Sequence, residues 1–149
     1  MRKIISFMHI SLDGFIAGPN GEMDWIKIDE ELFNHVGERI SKGDTALYGR
    51  VTYEMMESYW PTAADSINEI KQSRKGGGED ILLFGSPTAT HSLIHENLID
   101  GYWLFVNPVI LGKGIPLFVN VKDKINLKLL NTRQFTSGVT ELNYIVDNQ

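Results

Sequence analysis

Two stretches of this chain share one pattern: a short apolar run, a glycine, then residues at helical spacing. "TALYG" leads into "RVTYEMM", and "DILLFG" leads into "SPTATHSLI". Apolar runs of this length closed by glycine read as buried strands. In the second copy Ser86 suits a helix cap, and Pro87 suits the first helical position, where a missing N–H leaves nothing unpaired. Strands that alternate with helices predict a mostly parallel sheet covered by helices, hence an α/β fold.

The remaining segments extend this reading. "KIISFMHIS" is short and apolar and predicts a first strand. "LDGFIAGPNGEMDW", with Gly14, Gly18, Pro19 and Gly21, predicts a loop rather than a regular element. "DEELFNHVGERI" spaces Leu32, Phe33, Val36 and Ile40 as a helix does, with Asp29, Glu30 and Glu31 where the helix dipole favours acids. "RVTYEMMESYW" reads as a helix ended by Pro61, and "SINEIKQSRK" as a short surface helix closed by Gly76 to Gly78. "GYWLFVNPVIL" predicts a long strand with an irregular point at Pro108, and "GKGIPLF" a loop. "LKLLNTRQFTSGVTELNYIVD" predicts a closing antiparallel hairpin turning at Ser137-Gly138.

One domain over residues 1–149 is expected, because a chain of this size buries roughly 70% of its unfolded surface in one core. The net charge of −5 supplies no field to draw a polyanion, which argues against nucleic acid as a partner. The absence of cysteine removes disulfides, thiolate metal sites and cysteine nucleophiles, and fits a cytoplasmic location. No apolar stretch reaches the roughly 20 residues that span a bilayer.

A helix start that follows a strand through glycine offers unpaired backbone N–H groups and the positive end of the helix dipole. In the first copy Gly49 leaves room, Arg50 adds a planar fork of donors and Thr52 a hydroxyl. In the second, Gly85 leaves room before Ser86 and Thr88. Side by side, two such turns hold a pyrophosphate; singly, each is also ordinary turn chemistry. Neither the Rossmann nor the P-loop glycine pattern is present, and no G-x-S-x-G supports serine hydrolysis. His91 and His95 stand four apart as metal ligands can, but with no evident third ligand a solvated or capping role is favoured over metal.

Taken together, "SLDGFIAGPNGEMDW", "LYGRVTYE" and "DILLFGSPTATHSLI…LFVNPVILGKGIPLF" resemble the dihydrofolate reductase-like family, in particular its bacterial branch similar to the reductase domain of riboflavin biosynthesis. The resemblance covers nearly the whole chain. It implies a three-layer α/β/α sandwich with a mostly parallel sheet and a C-terminal hairpin, and NADPH as hydride donor to a pterin-like or pyrimidine-like heterocycle. It places Ile16, Ala17 and Gly18 beside the nicotinamide, and Gly49, Arg50, Val51 and Thr52 with Gly85, Ser86 and Thr88 at the cofactor phosphates. Trp25 and Asp29 fall on the substrate side. Three departures stand out: Gly85-Ser86 replaces a Gly-Gly pair, the acidic anchor is matched only by the Asp29 to Glu31 run, and two further strands are missing near residues 61–70.

Asp29 is the candidate to anchor the substrate or relay its proton, with helix capping as the alternative. Trp25 packs on the heterocycle or fills core, and Asn107 turns its amide into the site or makes a turn before Pro108. A non-catalytic nucleotide-binding or interaction module is the alternative to the enzyme. The apolar terminal strands and the resemblance also make a homodimer the expected state.

Overall fold

In the computed structural model, residues 2–41, 45–48, 80–84 and 87–148 are described. Gly49, Arg50, Val51, Thr52, Gly85, Ser86, the two helices read between Arg50 and Lys75, and the shortening near 61–70 lie outside them.

The first strand, β1 (Ile4–Ile10), is the centre of the sheet because both of its faces are apolar and both of its edges are paired. It lies parallel to β4 (Ile81–Phe84) on one side and to β5 (Gly101–Val106) on the other. Beyond β4 lies β3 (Thr45–Tyr48), also parallel. Beyond β5 the hairpin of β7 (Leu127–Gln134) and β8 (Thr140–Val146) adds antiparallel strands, giving the order β3-β4-β1-β5-β8-β7. The hairpin turns where expected, and Gly138 supplies the positive φ of 95°.

Strand alternation sorts the core into two layers. Ile4 and Met8 pack with Ile81, Leu83, Tyr102 and Leu104 against α2 (Pro87–His95), which contributes Leu93 and Ile94. Ile5 and Phe7 pack with Leu82, Trp103 and Phe105 against α1 (Glu30–Ser41), which contributes Leu32 and Val36. The described helices therefore cover opposite faces of a mixed sheet, and each wholly buried aliphatic side chain contributes about 2 kcal/mol.

Three sequence expectations are corrected. Phe33 and Ile40 are not core residues: they are 69% and 38% exposed, since only the Leu32–Val36 stripe of α1 meets the sheet. The two segments expected to be wholly loop instead pair with each other, as β2 (Phe15–Ala17) and β6 (Ile115–Pro116), in a small antiparallel clasp. The strand read through "GYWLFVNPVIL" stops at Val106, and the next residue, Asn107, turns its side chain to Lys27 N and back to Phe105 O.

Candidate functional site

The last residues of β3 and β4, Tyr48 and Phe84, are register partners. β3 and β4 thus end side by side in the sheet. On the other side of β4, Phe7 pairs with Phe84, and β1 runs three residues further. From there the chain passes to α1 on one face, whereas β4 passes to α2 on the opposite face. Where neighbouring connections diverge in this way, a crevice opens at the carboxyl ends of the strands, the usual ligand position in an open α/β sheet.

The loop after β1 is fixed by buried Ser11. Its hydroxyl accepts from Phe15 N at 2.9 Å and donates to Asp13 Oδ1 at 2.6 Å. The Asp13 carboxylate also accepts from Leu111 N at 3.1 Å and Gly112 N at 2.8 Å, tying this loop to the one after β5. The Ser11 bond is the main cause that holds the Asp13 carboxyl below its ordinary value; a smaller desolvation effect opposes it, and the N–H groups of Gly112 and Leu111 add to the lowering.

Ile16 and Ala17 lie buried in the β2–β6 clasp. Gly114 backs directly onto them: at its φ of 152°, a Cβ would run into the Ala17 carbonyl oxygen. Gly18 is enclosed by Glu22, whose carbonyl accepts from Gly18 N at 2.9 Å and whose carboxylate fills the space of a Gly18 Cβ. Asp13 and Gly114 stood in the quoted motifs without an assigned role; the only signal was an acid and a glycine in loops far apart in the chain.

On the α1 side, Asp29 caps the helix, Oδ1 accepting from Leu32 N at 2.8 Å. Trp25 is partly buried and donates from Nε1 to Glu22 O at 2.9 Å. Asn107 is wholly buried, accepting from Lys27 N at 2.9 Å and donating to Phe105 O at 3.2 Å, so it braces the loop before α1 against the end of β5. Thr88 stands in the first turn of α2. His91 is engaged with Pro116 O through Nε2 at 2.9 Å, and no metal-competent cluster occurs among the described residues. Leu12, Met23, Ile28 and Phe33, all from segments at this end of the sheet, are exposed apolar side chains.

His9, in an otherwise apolar strand, carried no functional expectation. Its ring stacks on Phe105 at 5.2 Å and meets the Phe7 ring edge-on at 5.6 Å. Burial lowers its pKa from 6.5 to about 4, so the imidazole is neutral at physiological pH. Its Nδ1 is buried without a hydrogen-bond partner.

Between α1 and the antiparallel strands lies a separate polar network. Buried Glu141 Oε2 accepts from Trp103 Nε1 at 2.6 Å and from His35 Nε2 at 2.8 Å. Arg133 Nη1 donates to His35 Nδ1 at 3.0 Å, which leaves the His35 proton on Nε2, facing Glu141. Arg39 lies 4.2 Å from the Trp103 ring centroid and donates to Asn143 Oδ1.

The model of the RibD C-terminal domain family matches residues 2–75 and 63–140. The chain is 32% identical to the uncharacterised protein YyaP of Bacillus subtilis (strain 168) over 179 aligned positions, covering 96% of this chain and 94% of the relative. Among solved structures, the Thermotoga maritima diaminohydroxyphosphoribosylaminopyrimidine deaminase/5-amino-6-(5-phosphoribosylamino)uracil reductase superimposes with a TM-score of 0.75 at 15% identity, over 98% of this chain and 57% of that one. Dihydrofolate reductase from Enterococcus faecalis, complexed with NADP(H), superimposes with a TM-score of 0.67 at 16% identity, over 98% and 97% of the two chains. At such identities the structural likeness shows the fold alone.

Proposed function

This chain belongs to the RibD C-terminal domain family, and on that premise we propose that it is an NADPH-dependent reductase that transfers hydride to a pterin-like or pyrimidine-like heterocycle. The observation that carries this reading is the pairing of Tyr48 with Phe84, which ends β3 and β4 side by side next to the β1–β4 crevice, at the two strand ends after which the sequence expects the glycine turns. The described residues fit the cofactor: α2 opens at Pro87 next to that edge, and the buried β2–β6 clasp presents the Ile16 to Gly18 backbone at the same end.

In this reading Gly49 to Thr52 and Gly85, Ser86 and Thr88 hold the phosphates, and Ile16, Ala17 and Gly18 border the nicotinamide. Bound NADPH supplies the hydride; the protein places the acceptor carbon and excludes water. The free carboxylate oxygen of Asp29 anchors the substrate or relays a proton to it, while the other oxygen keeps the cap. Trp25 lies on the substrate side, and Asn107 acts by bracing the 25–29 segment through Lys27. The exposed Leu12, Met23, Ile28 and Phe33 offer apolar contact to a planar ring. Exposed Leu127, Leu129 and Leu130 on β7 support a homodimer. Among the described residues no helix is long and apolar enough to cross a membrane.

A second reading, a nucleotide-binding module without turnover, is favoured by one observation. The alignment to YyaP spans 179 positions although this chain has 149 residues, and the family match divides at 63–75. This is consistent with the shortening near 61–70, a segment that would otherwise help hold the adenosine end. The deciding experiment incubates purified protein with NADPH or NADH and a panel of pterins, folates and ribosylaminopyrimidines. Loss of reduced cofactor with one acceptor supports the enzyme, and quenching of tryptophan fluorescence by NADPH without turnover supports the module. Failure of both refutes the proposal.

A further inference from the structure

We propose that His9 orients the heterocyclic acceptor through a single hydrogen bond between an imidazole nitrogen and an N–H or C=O group of the substrate ring. This rests on the reductase reading and gives the acceptor a chemical class: an amide- or imide-bearing heterocycle rather than a cationic or purely apolar one.

Position comes first. His9 lies two residues beyond Phe7, the partner of the last residue of β4, and so stands at the carboxyl end of the central strand beside the crevice. On β5 its register partner is Phe105, two residues before the Asn107 brace that fixes the segment holding Trp25 and Asp29.

Chemistry comes second. The ring is held by a stack on Phe105 and an edge contact with Phe7, not by hydrogen bonds. The Phe7 and Phe105 rings give it an apolar wall. An imidazole in such a wall without a partner for Nδ1 is unusual, because buried polar atoms are nearly always paired. The ring is not sealed in, since His9 as a whole is only partly buried. Because Nδ1 has no hydrogen-bond partner in the protein, turning the ring about Cβ–Cγ breaks none at that atom. Burial keeps the ring neutral, so it carries one N–H donor and one bare nitrogen acceptor that point in different directions, and either can make a single hydrogen bond to an N–H or C=O group of the acceptor ring.

The test uses the full chain with His9→Phe and His9→Gln. Phe keeps the aromatic packing and removes both ring nitrogens; Gln restores a neutral donor and acceptor. Probes are 5,6-diaminouracil, 6,7-dimethylpterin and, as an apolar control, naphthalene, titrated in the presence of NADPH, followed by steady-state kinetics on any that are reduced. His9→Phe is expected to raise Kd and KM for the uracil and pterin at least tenfold, with naphthalene and NADPH affinity within twofold of wild type and Gln recovering part of the loss. Uracil and pterin affinities within twofold of wild type in His9→Phe overturn the His9 role alone. An equal loss for naphthalene, or a loss that Gln does not recover, also overturns it, by marking a packing role. A wild-type protein that binds none of the probes while binding NADPH overturns both this role and the reductase reading.

Discussion

One carboxylate oxygen of Asp29 already caps α1, so substitution can separate its two candidate roles. Asp29→Ala should cost about 1 kcal/mol of stability through the lost cap. Asp29→Asn keeps a capping oxygen; if the carboxylate serves the reaction, the Asn variant should lose turnover at least tenfold with its thermal midpoint nearly unchanged, measured side by side. His9 carries a pH prediction. Its folded pKa of about 4 lies below the ordinary 6.5, so the unfolded chain takes up the proton first as pH falls. Stability is thus complete above about pH 6.5 and declines towards pH 4, by up to about 3 kcal/mol. Urea titrations across that range should show the decline, and His9→Phe should remove this share of it. The Asp29 cap was legible in the sequence because capping has a local signature, whereas its role towards a substrate was suggested by the family resemblance and is what the Asn variant tests. His9 was not legible: an isolated imidazole in an apolar strand means little until the strand order places it at a crevice.

The elements that sequence revealed are those with a local period. Strands β1, β3 and β4, helices α1 and α2 and the hairpin follow from apolar runs, glycines and turn residues, and the Pro87 helix start fell where proline is tolerated. The β2–β6 clasp was missed because strands of three and two residues, drawn from distant loops, leave no period to read. The clasp sets a prediction at this scale: Gly114→Ala, whose methyl meets the Ala17 carbonyl, should displace the Ala17-Gly18 backbone and weaken NADPH binding several-fold, as fluorescence titration would show. The Glu141 network was equally invisible, since its members come from α1, β5, β7 and β8. Glu141→Ala should cost about 3 kcal/mol by stranding Trp103 Nε1 and His35 Nε2, and Glu141→Gln, which keeps an acceptor, should cost less; chemical denaturation separates them.

Across the whole molecule the sheet divides into a parallel half that borders the crevice and an antiparallel half that anchors α1 through polar groups. The α/β class and the antiparallel hairpin were expected from element order, although the turns that carry the phosphate reading lie outside the described residues. On the antiparallel edge β7 is exposed along its whole length, and its pairing with β8 shifts register between Leu129 and Asn131. A bulge of this kind discourages strand-to-strand addition, so self-association would proceed through the leucine side chains. Leu129→Lys with Leu130→Lys should then convert a dimer to monomer in light scattering. The direction of β8 has a practical corollary. Because Ile145 lies level with Gly101 and Ile5, the chain enters and leaves the sheet at the rim opposite the crevice. An affinity handle, a fluorophore or an appended module on either terminus would hang from the underside, leaving the ligand mouth open to solvent.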